Sequence, residues 1–124
     1  MKDSQSFSIK KRIKSFRFAI NGLKFLIVNE HNARIHLFAT ILVIILGIFF
    51  EISGMEWMAV LICIGLVLSL EAVNSSIEVL SDEVTQERNE AIKVIKDLSA
   101  AAVLISAIIS AVVGLIIFLP KICS

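Results

Sequence analysis

The pattern of hydrophobic and polar positions divides the chain into one amphipathic segment followed by three long apolar runs. Across residues 7–28, apolar side chains recur at steps of three and four residues, which is the spacing of one helix face. The positions on that face are Ile9, Ile13, Phe16, Ile20, Leu23 and Ile27. The basic side chains of the segment lie largely off this face, so the pattern predicts an amphipathic helix in a membrane interface.

The three apolar runs predict transmembrane helices over residues 33–50, 57–81 and 98–119. The last of them carries no charge and is rich in small residues, which favours close helix packing in lipid. Residues 82–96 between the second and third runs are highly charged, and their few apolar positions indicate a surface helix. We therefore expect an all-α membrane protein that forms a single domain over residues 1–124.

Composition and charge support this class and predict an orientation. Hydrophobic residues make up 57% of the 124 residues, and the mean hydropathy of +0.90 is too high for a soluble domain of this size. Eight of the twelve lysine and arginine residues lie at or before Arg34, and three lie between Arg88 and Lys96. By the positive-inside rule, the N-terminus and residues 82–97 are cytoplasmic, and the link at residues 51–56 is outside.

A polar stripe along the second apolar run is the strongest sign of function. On a helix with 100° per residue, its four members fall within an arc of roughly 80°. They are Glu71, Asn74, Glu78 and Asp82. Because an ionisable side chain inside a bilayer costs a few kcal/mol on insertion scales, the stripe is expected to face a partner, a metal or a substrate.

The stripe leaves two interpretations open. In the first, Asn74 and Ser75 hydrogen-bond a neighbouring helix and the carboxylates pair with lysine or arginine. In the second, the carboxylates carry chemistry. Glu71 and Glu78 are about 10.5 Å apart along the helix and cannot bind one small cation together. One could then act as a base, while the other binds Mg²⁺ with Glu30, since Mg²⁺ commonly takes one or two carboxylates plus phosphate oxygens.

Two further features bear on a nucleotide site. Lys96 and Asp97 lie where the charged segment re-enters the membrane, so Lys96 could bind a phosphate, with Asp97 orienting it or capping the third helix. The sequence contains neither GxxxxGK[ST] nor GxGxxG, so a nucleotide site here would not be a standard phosphate loop.

Three sequence blocks resemble the bacterial diacylglycerol kinase family, which includes the undecaprenol kinases. They are Asn29-Glu-His-Asn-Ala-Arg-Ile-His-Leu37, the ExxNxxIExxxD pattern from Glu71 to Asp82, and KDxxxAAV from Lys96 to Val103. The resemblance implies a homotrimer of three-span subunits in the bacterial inner membrane. It also implies phosphorylation of a lipid hydroxyl by Mg²⁺-bound ATP, with no nucleic acid among the partners.

The resemblance also implies roles for individual residues. Glu71 matches the catalytic base, Glu30 and Glu78 match the metal ligands, and Lys96 and Asp97 match nucleotide contacts. Asn74 matches a polar active-site residue that contacts substrate. The positions that match residues lining the lipid headgroup and nucleotide are Lys11, Lys14, Phe18 and Arg34, with Lys11 and Phe18 also expected at ATP.

Departures from the family pattern concern the lipid. Lys11 stands where the best-known diacylglycerol kinase has arginine, Phe18 where it has tyrosine, and the Arg-Ile-His-Leu run is more similar to the undecaprenol kinases. The sequence therefore predicts a lipid kinase, with diacylglycerol as the preferred candidate substrate and undecaprenol as the alternative. The alternative from another class is a non-enzymatic, proton-coupled transporter subunit built on the buried glutamates.

Overall fold

The structure, a computed structural model, describes residues 8–124 and is all-helical over that range. Its elements in chain order are α1 (Ile9–Asn29), α2 (His31–Phe49), α3 (Gly54–Val84) and α4 (Glu90–Ile122). Helices α2, α3 and α4 are each long and apolar enough to cross a membrane. The segment predicted as an amphipathic helix over residues 7–28 is one helix, α1, over the described part of that range, and residue 7 lies outside the described residues. Its place in a membrane interface stays a prediction.

Local caps determine where the helices begin. Ser8 caps α1 by accepting a hydrogen bond from the Lys11 backbone N–H. Ser53 and Glu56 form a capping box, in which each side chain accepts from the other residue's backbone N–H. Because this box ends the link, α3 begins at Gly54, three residues before the start predicted from hydropathy.

The predicted surface helix over residues 82–96 is wrong. Residues up to Val84 continue α3, and Glu90 already begins α4, so only a short connection separates the two helices. The Asn89 side chain caps α4 by accepting from the backbone N–H groups of Ala91 and Ile92. The expectation that Asp97 caps the third span is wrong for the same reason, since Asp97 lies two turns inside α4.

Helices α2, α3 and α4 run alternately up and down, so each end of the bundle gathers a different set of residues. At one end, Lys121 Nζ lies 3.1 Å from Glu56 Oε2, beside an apolar cluster that contains Ile52, Val60 and Phe118. Many other apolar side chains face outward, as expected for helices in lipid. The opposite end, where α1 meets α2 and α3 meets α4, carries most of the polar residues singled out above.

Gly47 permits the closest packing in the apolar cluster. A methyl group at this position would lie 2.7 Å from Trp57 Cη2 and 3.2 Å from Ile52 Cδ1. We expect Gly47→Ala to destabilise the protein by about 1–3 kcal/mol, the usual cost of overpacking, which thermal unfolding in detergent would report as a lower Tm. The matched control is Gly65→Ala, because a methyl group there meets nothing within 4 Å. An unchanged Tm for Gly47→Ala would contradict this packing.

Candidate active site

Glu71 is the most deeply buried charged side chain of the described residues. It is 2% exposed, in the middle of α3. Its Oε1 lies 3.2 Å from Nε2 of His36 on α2, yet this oxygen has no hydrogen bond of good geometry. A carboxylate removed from water without a full set of partners is costly, so its place in the protein interior needs a functional reason.

Glu30 is brought to the same face of α3. It occupies the single extended residue between α1 and α2, with φ −111° and ψ 112°, and its Oε1 accepts a hydrogen bond of 3.0 Å from Ser75 Oγ. Ser75 lies one turn from Glu71 and one turn from Glu78 on α3. The break between α1 and α2 therefore delivers the Glu30 carboxylate to the stripe that carries the other two glutamates.

Lys96, on α4, contacts two carboxylates of α3. Its Nζ lies 2.8 Å from Asp82 Oδ1 and 3.5 Å from Glu78 Oε2. Asp82 is therefore a partner of the predicted nucleotide lysine, a role that the sequence analysis did not assign. Asp97, expected to orient Lys96, instead pairs with Lys93 at 2.8 Å on its own helix.

Part of the non-functional interpretation of the stripe is also present. Asn74 Oδ1 accepts a hydrogen bond of 2.6 Å from Ser99 Oγ, so Asn74 links α3 to α4. Glu78 pairs with a lysine, as that interpretation expected. It does not explain Glu71, which approaches a histidine and neither a lysine nor an arginine. Polar contacts between helices therefore account for some of the stripe and leave its buried carboxylate unexplained.

The predicted contacts on α1 are not assembled with the glutamates in this chain. Lys11 and Lys14 line a small groove on α1 itself, and Phe18 is 63% exposed. At 1.5 Å per residue, Lys11 lies roughly 28 Å along the helix from Glu30. Arg34, one turn into α2, is exposed. The roles of these four residues remain predictions from the family resemblance.

The carboxylates fit a magnesium ion that is shared with a nucleotide. Residues 8–124 contain no group of three or more His, Cys, Asp or Glu side chains placed to hold a metal by themselves. Glu30 and Glu78, both partly exposed, offer hard oxygen donors on one face of α3. Mg²⁺ usually binds one or two protein carboxylates and completes its octahedron with phosphate oxygens and water. The two glutamates therefore match the number and type of protein ligands that such an ion uses.

An apolar groove reaches this site from the side. It measures about 520 Å³, lies between α1 and α3, and is lined by residues that include Leu23, Leu26, Ala72 and Val79. Ser75, the donor to Glu30, is also part of its wall. The groove therefore connects an apolar surface, suited to a lipid chain, with the carboxylate cluster.

Comparison with known proteins finds a matching family profile and several similar proteins. A family profile described as prokaryotic diacylglycerol kinase matches residues 17–118. An undecaprenol kinase from Bacillus subtilis (strain 168) is 38% identical over 113 residues, which cover 91% of this chain and 92% of that protein.

Two diacylglycerol kinases are also similar. The protein from Synechocystis sp. (strain ATCC 27184 / PCC 6803 / Kazusa) is 32% identical over 89% of this chain and 63% of its own length. The protein from Haemophilus influenzae (strain ATCC 51907 / DSM 11121 / KW20 / Rd) is 31% identical over 86% of this chain and 92% of its own length. These matches favour a kinase over a transporter subunit.

Proposed function

We propose that this chain, which belongs to the prokaryotic diacylglycerol kinase family and is a lipid kinase, acts on an isoprenoid alcohol. In the proposed reaction it transfers the γ-phosphoryl group of Mg²⁺-bound ATP to the hydroxyl of undecaprenol, in preference to that of diacylglycerol. The observation that carries the proposed chemistry is the buried Glu71 carboxylate, one oxygen of which lacks a hydrogen bond. The helix face that carries Glu71 also carries Glu78, and Glu30 and Lys96 contact that face from the α1–α2 break and from α4.

Glu71 is the proposed general base. The lipid hydroxyl gives its proton to the Glu71 carboxylate while its oxygen forms a bond to the γ-phosphorus of ATP. The bond from that phosphorus to the bridging oxygen breaks, and its electron pair leaves with ADP. A positioned base of this type is worth about 10²–10⁴ in rate.

The remaining residues position the nucleotide. Glu30 and Glu78 would hold Mg²⁺ together with phosphate oxygens of ATP, and the bound ion would offset the charge of the phosphates. Lys96 supplies a cation beside Glu78, and Asp82 fixes its ammonium group at 2.8 Å. Phosphoryl transfer depends mainly on such positioning and charge stabilisation.

The choice of undecaprenol reverses the first preference from the sequence. The similarity to the Bacillus subtilis undecaprenol kinase is greater in identity than that to the two diacylglycerol kinases, and it spans nearly the full length of both chains. The apolar groove beside Ser75 has no charged side chain in its wall except Glu83, which suits the hydrocarbon chain of either lipid alcohol, so the preference rests on the sequence similarity.

The proposed assembly follows from the charges and from the family. The lysine and arginine asymmetry supports a cytoplasmic active site in the bacterial inner membrane, because the Glu30–Lys96 end carries most of these residues. Helix α1 would lie in the cytoplasmic interface. A homotrimer is also proposed, from the family resemblance.

The proposal is tested with ATP labelled in its γ-phosphate and purified protein in detergent micelles. Undecaprenol and diacylglycerol are supplied separately and then together, and labelled lipid is separated by chromatography. We expect undecaprenyl phosphate as the main product. Labelled phosphatidic acid as the only product would refute undecaprenol as the substrate but would support the kinase activity. The absence of labelled lipid with either acceptor would refute the kinase activity.

A further inference from the structure

Within the described residues, His36 is a polar neighbour of Glu71 across the helix interface, and it has no assigned role. Nε2 of His36 approaches Oε1 of Glu71 to 3.2 Å, although the alignment falls short of a hydrogen bond. The contact joins α2 to α3 at the position of the proposed base.

The surroundings of the His36 imidazole favour a direct contact with Glu71 over hydration of the two groups. The His36 side chain is 24% exposed and Glu71 only 2%. His36 also lines a cavity of about 220 Å³ whose walls are mainly apolar, including Val43, Val60 and Val67. In such apolar surroundings, a hydrogen bond from an N–H group to a buried carboxylate is worth more than at the surface.

We propose that His36 is a positioning residue for Glu71, an inference that rests on the proposed function. Nε2–H donates to Oε1 and holds the carboxylate so that its other oxygen, Oε2, accepts the proton of the lipid hydroxyl. His36 neither gains nor loses a proton in this step. The imperfect alignment is typical of a site without substrate, because catalytic hydrogen bonds often tighten only when the reactants are bound.

The test compares three substitutions at one position. His36→Leu removes the donor, His36→Asn keeps an amide that is too short to reach Oε1, and His36→Gln keeps an amide of suitable length. We expect kcat to fall about 10²-fold in the Leu and Asn variants, since misplacing a reacting group by about 1 Å can cost this much. His36→Gln should recover most of the rate, and KM for ATP should stay within about twofold in all three, because His36 does not contact the proposed nucleotide residues.

A second arm asks whether His36 acts through Glu71. In a Glu71→Gln background, His36→Leu should cause no further loss of rate, because the carboxylate that it positions is gone. The control is Thr40→Val, one turn along α2 in the wall of the same cavity, which removes a hydroxyl that donates to the His36 carbonyl at 2.8 Å. It should retain wild-type kcat.

The outcomes separate this inference from the proposed function. Wild-type rates in His36→Leu and His36→Asn would overturn the inference, as would a further large loss in the Glu71→Gln background or equal losses in the Asn and Gln variants. If His36→Leu fails to assemble in detergent, the Asn and Gln pair decides. A wild-type protein that phosphorylates no lipid would refute the proposed function itself.

Discussion

Glu71→Gln is expected to lower kcat for lipid phosphorylation by about 10²–10⁴ while leaving the binding of Mg²⁺-bound ATP nearly unchanged. The amide keeps the size of the side chain and the fold of α3, but it cannot accept the hydroxyl proton. Nucleotide binding should survive because Glu71 lies about two turns from Glu78. Initial rates at saturating ATP and lipid measure the effect.

Glu87→Gln provides the matched control for this substitution. It makes the same chemical change, but Glu87 lies in the exposed connection between α3 and α4 and forms no part of the proposed base, metal site or lipid groove. Its rate should equal that of the wild type. A Glu71→Gln variant that retains more than about a tenth of the wild-type rate would show that Glu71 is not the base, since even a weak general base contributes more.

Glu30→Gln and Glu78→Gln should each abolish, or nearly abolish, turnover. Their shared cause is the loss of a magnesium ligand, which differs from the loss of the base in Glu71→Gln. A magnesium site with two protein carboxylates loses half of its protein charge when one becomes an amide, and water cannot replace that charge. The loss should be partly recovered at high Mg²⁺ concentration. The measurement is the Mg²⁺ dependence of the initial rate for both variants and for the wild type.

Glu87→Gln is the control for these two substitutions, because Glu87 lies in the exposed connection between α3 and α4. Its Mg²⁺ dependence should match the wild type. Near-wild-type turnover of either Glu30→Gln or Glu78→Gln at low Mg²⁺ would remove that residue from the proposed metal site. Ser75→Ala should weaken Mg²⁺ binding only indirectly, because Ser75 holds Glu30 in place through a hydrogen bond.

Periodicity was sufficient to predict the helices and the stripe, because both depend on short-range spacing. The three apolar helices and the amphipathic helix were expected from hydropathy, and Glu71, Asn74 and Glu78 do share one face of α3. Local signals were also sufficient to place Glu30 between two helices, because it follows the end of one predicted helix and precedes the next. Its contact with Ser75 then depends only on a sharp break at a single extended residue.

The contacts between helices could not be predicted in the same way. The approach of His36 to Glu71 depends on the rotation of α2 about its axis, which no pattern within α2 specifies. The choice of Asp82 over Asp97 as the partner of Lys96 depends on where α4 begins. Treating residues 82–96 as a separate surface helix placed that start too late, and the Asn89 cap was the available signal that would have corrected it.

The division of labour between two glutamates on one helix is the central claim, and an equilibrium titration of Mg²⁺-bound ATP tests it most directly. The affinity is measured for the wild type, Glu71→Gln and Glu78→Gln in the same detergent, with the initial rate of each preparation determined in parallel. We expect Glu71→Gln to combine near-wild-type affinity with a strongly reduced rate, and Glu78→Gln to show weakened affinity. Equal loss of nucleotide affinity in the two variants would contradict it and would indicate a single polar network instead of a base and a metal site.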